Sequence, residues 1–523
     1  MRLTSARTAI ATLAVLLLGS AGVLGLLEPT ETRYSEISRE MRASGDWLVP
    51  RLDGIAHFHK PPLPYWLTAA GMSVFGENAW GARIPAILSG LLLLFCIARL
   101  ARRFGGVIGG SDLGGLAAWI AGTSLLFLGS GRIVSCDPYL AAAVAAFWCL
   151  APSVSALAVL GVGFLIKGPV VFVPTALPIL VVALWERFRH ERPAGAPPVT
   201  SWLGPARGWI AFAFIAVPWY VALMVRVPGL LAYLLRTQLW QRYTTGVHHR
   251  EGGWWYFVAV LIGGMVPWTP ALVPGLRAAW ERRRERDAKL LLAWLIAPLV
   301  FFSFSGSKLP AYLLPCLPAA VLVAVAGLTR AKRASAWAIA ALLGALAIAG
   351  VVLAPSAFAK ISRGAVLPLS AWIALACIAI AALCAGLRKL AASALSFAAA
   401  MTLLLVAIAP WEAEVGAPRP LARAIAAQRR AGEPVVLYRR FNAGIPFHLK
   451  SIVHLMDVPR ELQFEHERGP AVQEADLDSI VRTSRIWMVG PEAAIEELAH
   501  AKRWRWTRVA RGRDEAAGFL SLP

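Results

Sequence analysis

Charge is what this sequence has least of. Only 16% of its 523 residues are Asp, Glu, Lys or Arg, against 58% hydrophobic residues and a mean hydropathy of +0.61. A soluble domain carries roughly 25% charged residues to cover its surface, so the shortage excludes a soluble globule and leaves a polytopic membrane protein. Acids are scarcer than bases, 30 against 52, for a net charge of +22. Cysteine is sparse too. Cys96, Cys136, Cys149, Cys316, Cys377 and Cys384 lie in or beside apolar runs with no C-x-x-C spacing, which argues against a disulfide framework or a thiolate metal site. No obvious internal repeat is present.

What is abundant is apolar sequence. A bilayer core takes about 20 apolar residues per helix, and such runs fall near 9–27, 84–101, 114–130, 138–152, 154–167, 169–185, 208–225, 255–276, 289–304, 310–327, 335–354, 366–386 and 391–409. They predict about 12–13 transmembrane helices. Basic residues gather between them: Arg99, Arg102 and Arg103; Arg187, Arg189 and Arg192; Arg282, Arg283, Arg284 and Arg286; Arg330, Lys332 and Arg333; Arg388 and Lys389. Because these clusters sit in alternate loops, the basic balance is a topology signal, not a nucleic-acid footprint. It places 28–83, 131–137, 226–254, 305–308 and everything after 410 on the outer face. The run 9–27, behind Arg2 and Arg7, reads as a retained anchor.

The chain divides into 1–410, a transmembrane domain with a first outer loop at 28–83, and 411–523, a small α/β domain on the same outer face. Strands are predicted at 433–438, 452–456, 486–489, 504–509 and 519–522, and a helix at 491–503. This tail shows no phosphate-cradling glycine loop and no nucleophile elbow, so a supporting role is expected of it.

The first outer loop is unusually polar. Residues 28–66 read EPTETRYSEISREMRASGDWLVPRLDGIAHFHKPPLPYW. Its acids are Glu28, Glu31, Glu36, Glu40, Asp46 and Asp53, and Asp137 opens a later span. Ionisable groups beside hydrocarbon are costly, which makes them functional candidates; Glu31 and Asp137 stand out. The plainer alternatives are an N-cap for Asp137, which precedes Pro138, and a helix-dipole or capping role for Glu31. Glu36, Arg39 and Glu40 are spaced for solvated pairs on one helix face.

Cations suited to a phosphate follow. Lys60, among prolines and aromatics, can meet a lipid phosphate as a point charge or simply snorkel. Arg242, Tyr243, His248, His249 and Arg250 precede Trp254, Trp255 and Tyr256 in a second outer loop, where arginines suit a phosphate headgroup. Lys167 and Lys308 each sit at an expected outer helix end. His57, His59, His248 and His249 have no fixed ligand spacing; His59 with His248 is the candidate pair for a divalent metal, and no other cofactor is expected.

Several strings together resemble a known family. Pro29-Thr30-Glu31-Thr32-Arg33-Tyr34-Ser35-Glu36-Ile37, Ser44-Gly45-Asp46-Trp47, Pro50-Arg51-Leu52 and Lys60-Pro61-Pro62 are similar to the first periplasmic loop of bacterial membrane glycosyltransferases. The group is that of the aminoarabinose lipid A transferases and protein O-mannosyltransferases, with the GT-C fold. Asp137-Pro138, Lys167-Gly168-Pro169, Pro218-Trp219-Tyr220, Pro267-Trp268 and Ser307-Lys308-Leu309-Pro310-Ala311-Tyr312 are similar to later landmarks in the same order, and Lys308-Leu309-Pro310 with Tyr312 leans toward the aminoarabinose branch. Three departures stand out. Thr30-Glu31 replaces the usual Asp-Glu, His59 replaces an acid before Lys-Pro, and the segment after Asp137 is shortened.

The resemblance implies a multi-pass protein of the bacterial inner membrane, with its active site and tail domain in the periplasm. It would move a sugar from an undecaprenyl-phosphate-linked donor to a lipid A-like acceptor, or alternatively to a protein. Lys60, Arg33, Arg242 and Lys308 would bind the donor phosphate and neutralise it as it leaves. Glu31 and Asp137 would serve the acceptor, and Tyr34 and Tyr312 would contact substrate. Two rivals are a transporter of polyprenyl-linked sugars, disfavoured because the ionisable residues gather at one face, and a non-catalytic assembly protein.

Overall fold

The structure, a computed structural model, describes residues 5–189, 197–236, 252–362, 364–458, 477, 481 and 485–522. Apolar helices dominate it. By length and composition seven described helical stretches can cross a membrane, eight if one bent pair counts as a single span. The sequence suggested more because several apolar runs are broken or short. Run 9–27 holds only helix Ala6–Gly19 before the chain turns, and run 138–152 holds the 15-residue helix Cys136–Leu150. Runs 154–167 and 169–185 form one helical stretch, Val154–Phe188, interrupted by a 3-10 turn at Gly168–Val171. Run 255–276 bends by 110° between Tyr256–Gly264 and Thr269–Glu281. Pro267, which brings no N–H to a helix, lies at that bend, and the indole of neighbouring Trp268 donates to Thr123 Oγ1 at 2.9 Å.

Two glycines let a pair of helices touch. A Cβ on Gly275, in helix Leu272–Glu281, would run into the Val323 carbonyl of helix Leu317–Arg330, and one on Gly327 would meet the Ala271 carbonyl. Such small-residue contacts are how helices associate where no hydrophobic drive separates them from lipid. Gly275→Ala is expected to destabilise the protein by about 1–3 kcal/mol through overpacking. Thermal unfolding in detergent checks it, and an unchanged midpoint would show that the two helices part at no cost.

Helix Thr30–Ser44 is polar in sequence yet buried from Glu31 to Met41 apart from half-buried Arg33. The pairing of Glu36 with Arg39 is present, at 2.6 and 2.7 Å, but both side chains are buried, not solvated as their spacing suggested. Glu40 accepts the backbone N–H groups of Asp53 and Gly54, the latter at 2.9 Å. Those two residues form the turn of the hairpin β1 (Arg51–Leu52) and β2 (Ile55–Ala56).

After helix Leu390–Ile408 the chain builds a five-stranded sheet in the order β4-β3-β5-β7-β6. Its strands are β3 (Val435–Tyr438), β4 (His454–Met456), β5 (Ile486–Gly490), β6 (Arg505–Arg511) and β7 (Ala516–Ser521). β3 pairs in parallel with β4 and β5, while β7 runs antiparallel to β5 and β6. The sheet region lies against the first loop, with Ile55 buried in one cluster with Leu421, Ile445 and Val453.

The basic clusters find partners of their own. Arg103 donates to the Ala151 carbonyl at 2.6 Å, Arg286 pairs with Glu186 at 3.0 Å, and Arg330 pairs with Glu281.

Candidate functional site

A cavity of about 290 Å³ lies between the arm after β2, the break at Gly168 and residues 301–312. Its apolar wall includes Phe58, Val173, Trp219, Leu223, Phe301 and Phe302, and its polar wall includes His59, Lys60, Lys167, Tyr220, Ser305 and Tyr312. The arm is held from below. The indole of Trp219, on helix Ala206–Arg226, donates to the Leu48 carbonyl at 3.1 Å, and that of Trp66 to the Trp47 carbonyl at 3.0 Å. Gly168 has φ +65°, a conformation that favours glycine, and it turns the chain just after Lys167.

Asp137 meets Lys167 here. Lys167 Nζ lies 2.5 Å from Asp137 Oδ1 and 4.4 Å from the Tyr312 ring centre, so the ammonium sits between a carboxylate and a π face. Helix Cys136–Leu150 is capped by Ser135, whose hydroxyl accepts the Asp137 N–H at 3.3 Å. The capping alternative for Asp137 is therefore corrected: serine caps, and the carboxylate is left to bind Lys167.

Glu31 is placed differently. Arg83 grips it with Nε and Nη2 at 2.8 and 2.5 Å, and the N–H groups of Leu27 and Val134 add bonds at 3.0 and 3.2 Å. A carboxylate offers about four acceptor positions, and all four are used. Arg83 also donates to the carbonyls of Ala21, Leu24 and Gly25. Burial alone would raise the Glu31 carboxyl, but the charge and hydrogen bonds of Arg83 with the two backbone donors hold it below its ordinary range. Glu31 is not among the cavity's lining residues.

The other expected residues divide. Lys60 and Tyr312 line the cavity. Lys308 is buried behind its wall and donates to the Ser305 carbonyl at 2.7 Å. Arg33 is close enough for its charge to act on His57 and Tyr65, and its Nε is buried with no hydrogen-bond partner among the described residues. Tyr34 is buried against Tyr65 with ring centres 5.1 Å apart. Arg242, Tyr243, His248, His249 and Arg250 lie outside the described residues, as does Arg192.

The metal expectation finds only part of its residues here. His57 and His59 face each other at 4.1 Å, and burial, then Arg33 and Lys60, hold His57 well below its ordinary pKa, so it is neutral. Among the described residues no group of three or more His, Cys, Asp or Glu is arranged to hold an ion.

Two partners were missed in the sequence, the pairing of Lys167 with Asp137 and the grip of Arg83 on Glu31. Lys167 was singled out as a cation, but no spacing links it to a carboxylate 30 positions away. Arg83, at the mouth of an apolar run, was the available signal for a buried counter-ion.

Comparison with known proteins extends over the whole fold. A family model described as dolichyl-phosphate-mannose-protein mannosyltransferase matches residues 59–195. The undecaprenyl phosphate-alpha-4-amino-4-deoxy-L-arabinose arabinosyl transferase of Erwinia tasmaniensis is 32% identical over 333 residues, 59% of this chain and 57% of the relative. The protein of the same description from an Enterobacter species is 32% identical over 363 residues, 64% of this chain and 62% of the relative. The chain thus matches less than two thirds of the length of these curated relatives. The crystal structure of ArnT from Cupriavidus metallidurans bound to undecaprenyl phosphate superposes with a TM-score of 0.77 at 27% identity, covering 98% of this chain and 97% of that one. Fold and comparisons define a GT-C type, multi-pass protein of the bacterial inner membrane. Within that class the chain is similar to the aminoarabinose transferases over part of their length and to the ArnT structure over nearly all of its own.

Proposed function

We propose that the protein transfers a sugar from a polyprenyl-phosphate-linked donor to a phosphate-bearing, lipid A-like acceptor. The observation that carries this is the cavity itself, a largely apolar space lined by both Lys60 and Lys167. That combination suits a phosphate on a long hydrocarbon tail. The similar ArnT structure was solved with such a lipid.

The reaction is a displacement at the anomeric carbon. The bond from that carbon to the donor phosphate oxygen breaks, its electron pair leaves with the lipid phosphate, and an acceptor oxygen takes its place. Cations must meet the charge that develops on the leaving oxygens; Lys60 and Lys167 are assigned this role, with Arg33 and Lys308 supporting the walls and Arg242 a further candidate. Asp137, tied to Lys167, orients that ammonium. A phosphate acceptor arrives already anionic and needs no strong base, which favours a phosphorylated lipid over a protein hydroxyl. Glu31 acts structurally in this reading, Tyr312 shapes the pocket, and Tyr34 packs against Tyr65.

The domain division at residue 410 belongs to the same proposal, with the sheet region supporting the site. The side of the membrane follows from charge. Arginine clusters that include Arg103, Arg286 and Arg330 fall in alternate short loops of the sequence, and short loops of that kind stay in the cytoplasm, which puts the first loop and the sheet on the periplasmic side.

Lys60→Ala is expected to raise the donor KM by about 10- to 100-fold, the scale of one charge-assisted contact, while Ser44→Ala leaves it unchanged. Assay with purified lipid-linked donor decides it, and equal KM in the two variants would reduce Lys60 to a snorkelling side chain.

A further inference from the structure

The first loop is tied to the sheet region by two carboxylates that the proposed reaction does not use. Glu28 is gripped from both sides: its N–H donates to the Gly416 carbonyl at 3.0 Å, and its Oε1 accepts the Gly444 N–H at 2.8 Å. The approach is close, since a Cβ on Gly444 would collide with Pro418 and press on Thr32. Asp53, in the hairpin turn with φ 54°, accepts the Val453 N–H at 2.9 Å through Oδ1, and its buried Oδ2 has no hydrogen-bond partner among the described residues.

Both ties lie close in sequence to cations of the first loop. Glu28 comes just before helix Thr30–Ser44, which carries Arg33. Asp53 heads the hairpin whose second strand runs directly into His57, Phe58, His59 and Lys60, and the last three of these line the cavity. Neither bond touches the cavity, so neither residue contacts substrate.

We propose that Glu28 and Asp53 are positioning residues through which the C-terminal sheet region holds the start and the hairpin of the first loop and so sets the placement of Arg33 and Lys60. The proposal rests on the donor-phosphate reading of the cavity.

The charged groups around each tie give it a pH dependence. Glu28 faces Arg33 of its own helix and Glu515 of the sheet region, which in turn holds Asn442 and Arg440. Asp53 faces Glu40 and Arg39. Burial pushes both carboxyls up to about 7, from ordinary values of 4.5 and 3.8. A group whose value rises on docking stabilises the docked state fully below its ordinary value, and that contribution fades as pH rises through the docked value. Docking is therefore firmest in acid and weakens as pH passes about 7.

The test uses full-length protein in nanodiscs and undecaprenyl phosphate as the probe. Between pH 6 and pH 8.5 the native protein should lose affinity by about tenfold relative to the Glu28→Gln, Asp53→Asn double variant, whose neutral amides keep the acceptor oxygens at both pH values. The Glu28→Ala, Asp53→Ala double variant should bind about tenfold more weakly at both pH values, with kcat at saturating donor nearly native, as expected for lost positioning. Trypsin cleavage within 412–430 reports undocking without any lipid. Native affinity in the alanine variant overturns the proposal, whether or not the sheet undocks. Parallel pH profiles for native and amide proteins overturn it as well. Failure of the native protein to bind undecaprenyl phosphate overturns the donor reading beneath it, a result distinct from both.

Discussion

Glu31→Gln is expected to cost about 3–5 kcal/mol of stability, the usual penalty for removing one partner of a buried ion pair. Arg83 would keep its charge and its three carbonyl partners from residues 21–25 but lose its only bonded carboxylate among the described residues. The measurement is thermal unfolding in detergent, with folded yield alongside. Replacing both partners by apolar residues, as in Glu31→Met with Arg83→Met, should recover much of the loss, because no charge is then left buried. The sign with pH follows from the depressed carboxyl: the pair's contribution is present above the ordinary value of 4.5 and is lost as pH falls below it. A Glu31→Gln protein with native stability and no transfer activity would restore Glu31 to the chemistry.

Asp137→Asn should behave in the opposite way. The fold should survive, because Ser135 keeps the helix cap, but Lys167 would lose the carboxylate that fixes it 4.4 Å from the Tyr312 ring centre. Turnover is expected to fall by about 100-fold or more, the scale seen when a preorganised charge is lost from an active site. Lys167→Ala should show a loss of the same order, and the double variant should lose little more than either single one, since the two act as a unit. Losses that instead multiply would separate the two residues and remove the pair from the mechanism.

These two carboxylates show what sequence can and cannot reveal. The apolar runs, the alternating arginine clusters and the polar block at 28–66 marked a membrane protein with one functional face, because composition along the chain records where lipid and water lie. The five tail strands were also legible, since β3, β4, β5, β6 and β7 begin within a few residues of their predicted starts. What composition does not record is pairing. Glu31 and Asp137 read as equals, each an acid at a membrane boundary, yet one is saturated by an arginine 52 positions away and the other meets a lysine at the cavity. Helix breaks were hidden for a related reason: Ser124 and Pro267 interrupt runs whose hydropathy alone is continuous. Thr30, the departure from the family pattern, is exposed at the first turn of its helix, so the missing acid leaves no buried vacancy.

The ties at Gly444 and Val453 also set an order of events during synthesis. The first loop is made early, carrying a helix with buried acids, but the backbone N–H groups that donate to its Glu28 and Asp53 are translated about 400 residues later. At some 5–20 residues per second that is an interval of roughly 20–80 seconds. Throughout it Glu28 and Asp53 are without these two donors. A chain cut short before residue 444 therefore never forms either tie, and its first loop is left without the sheet region that holds it.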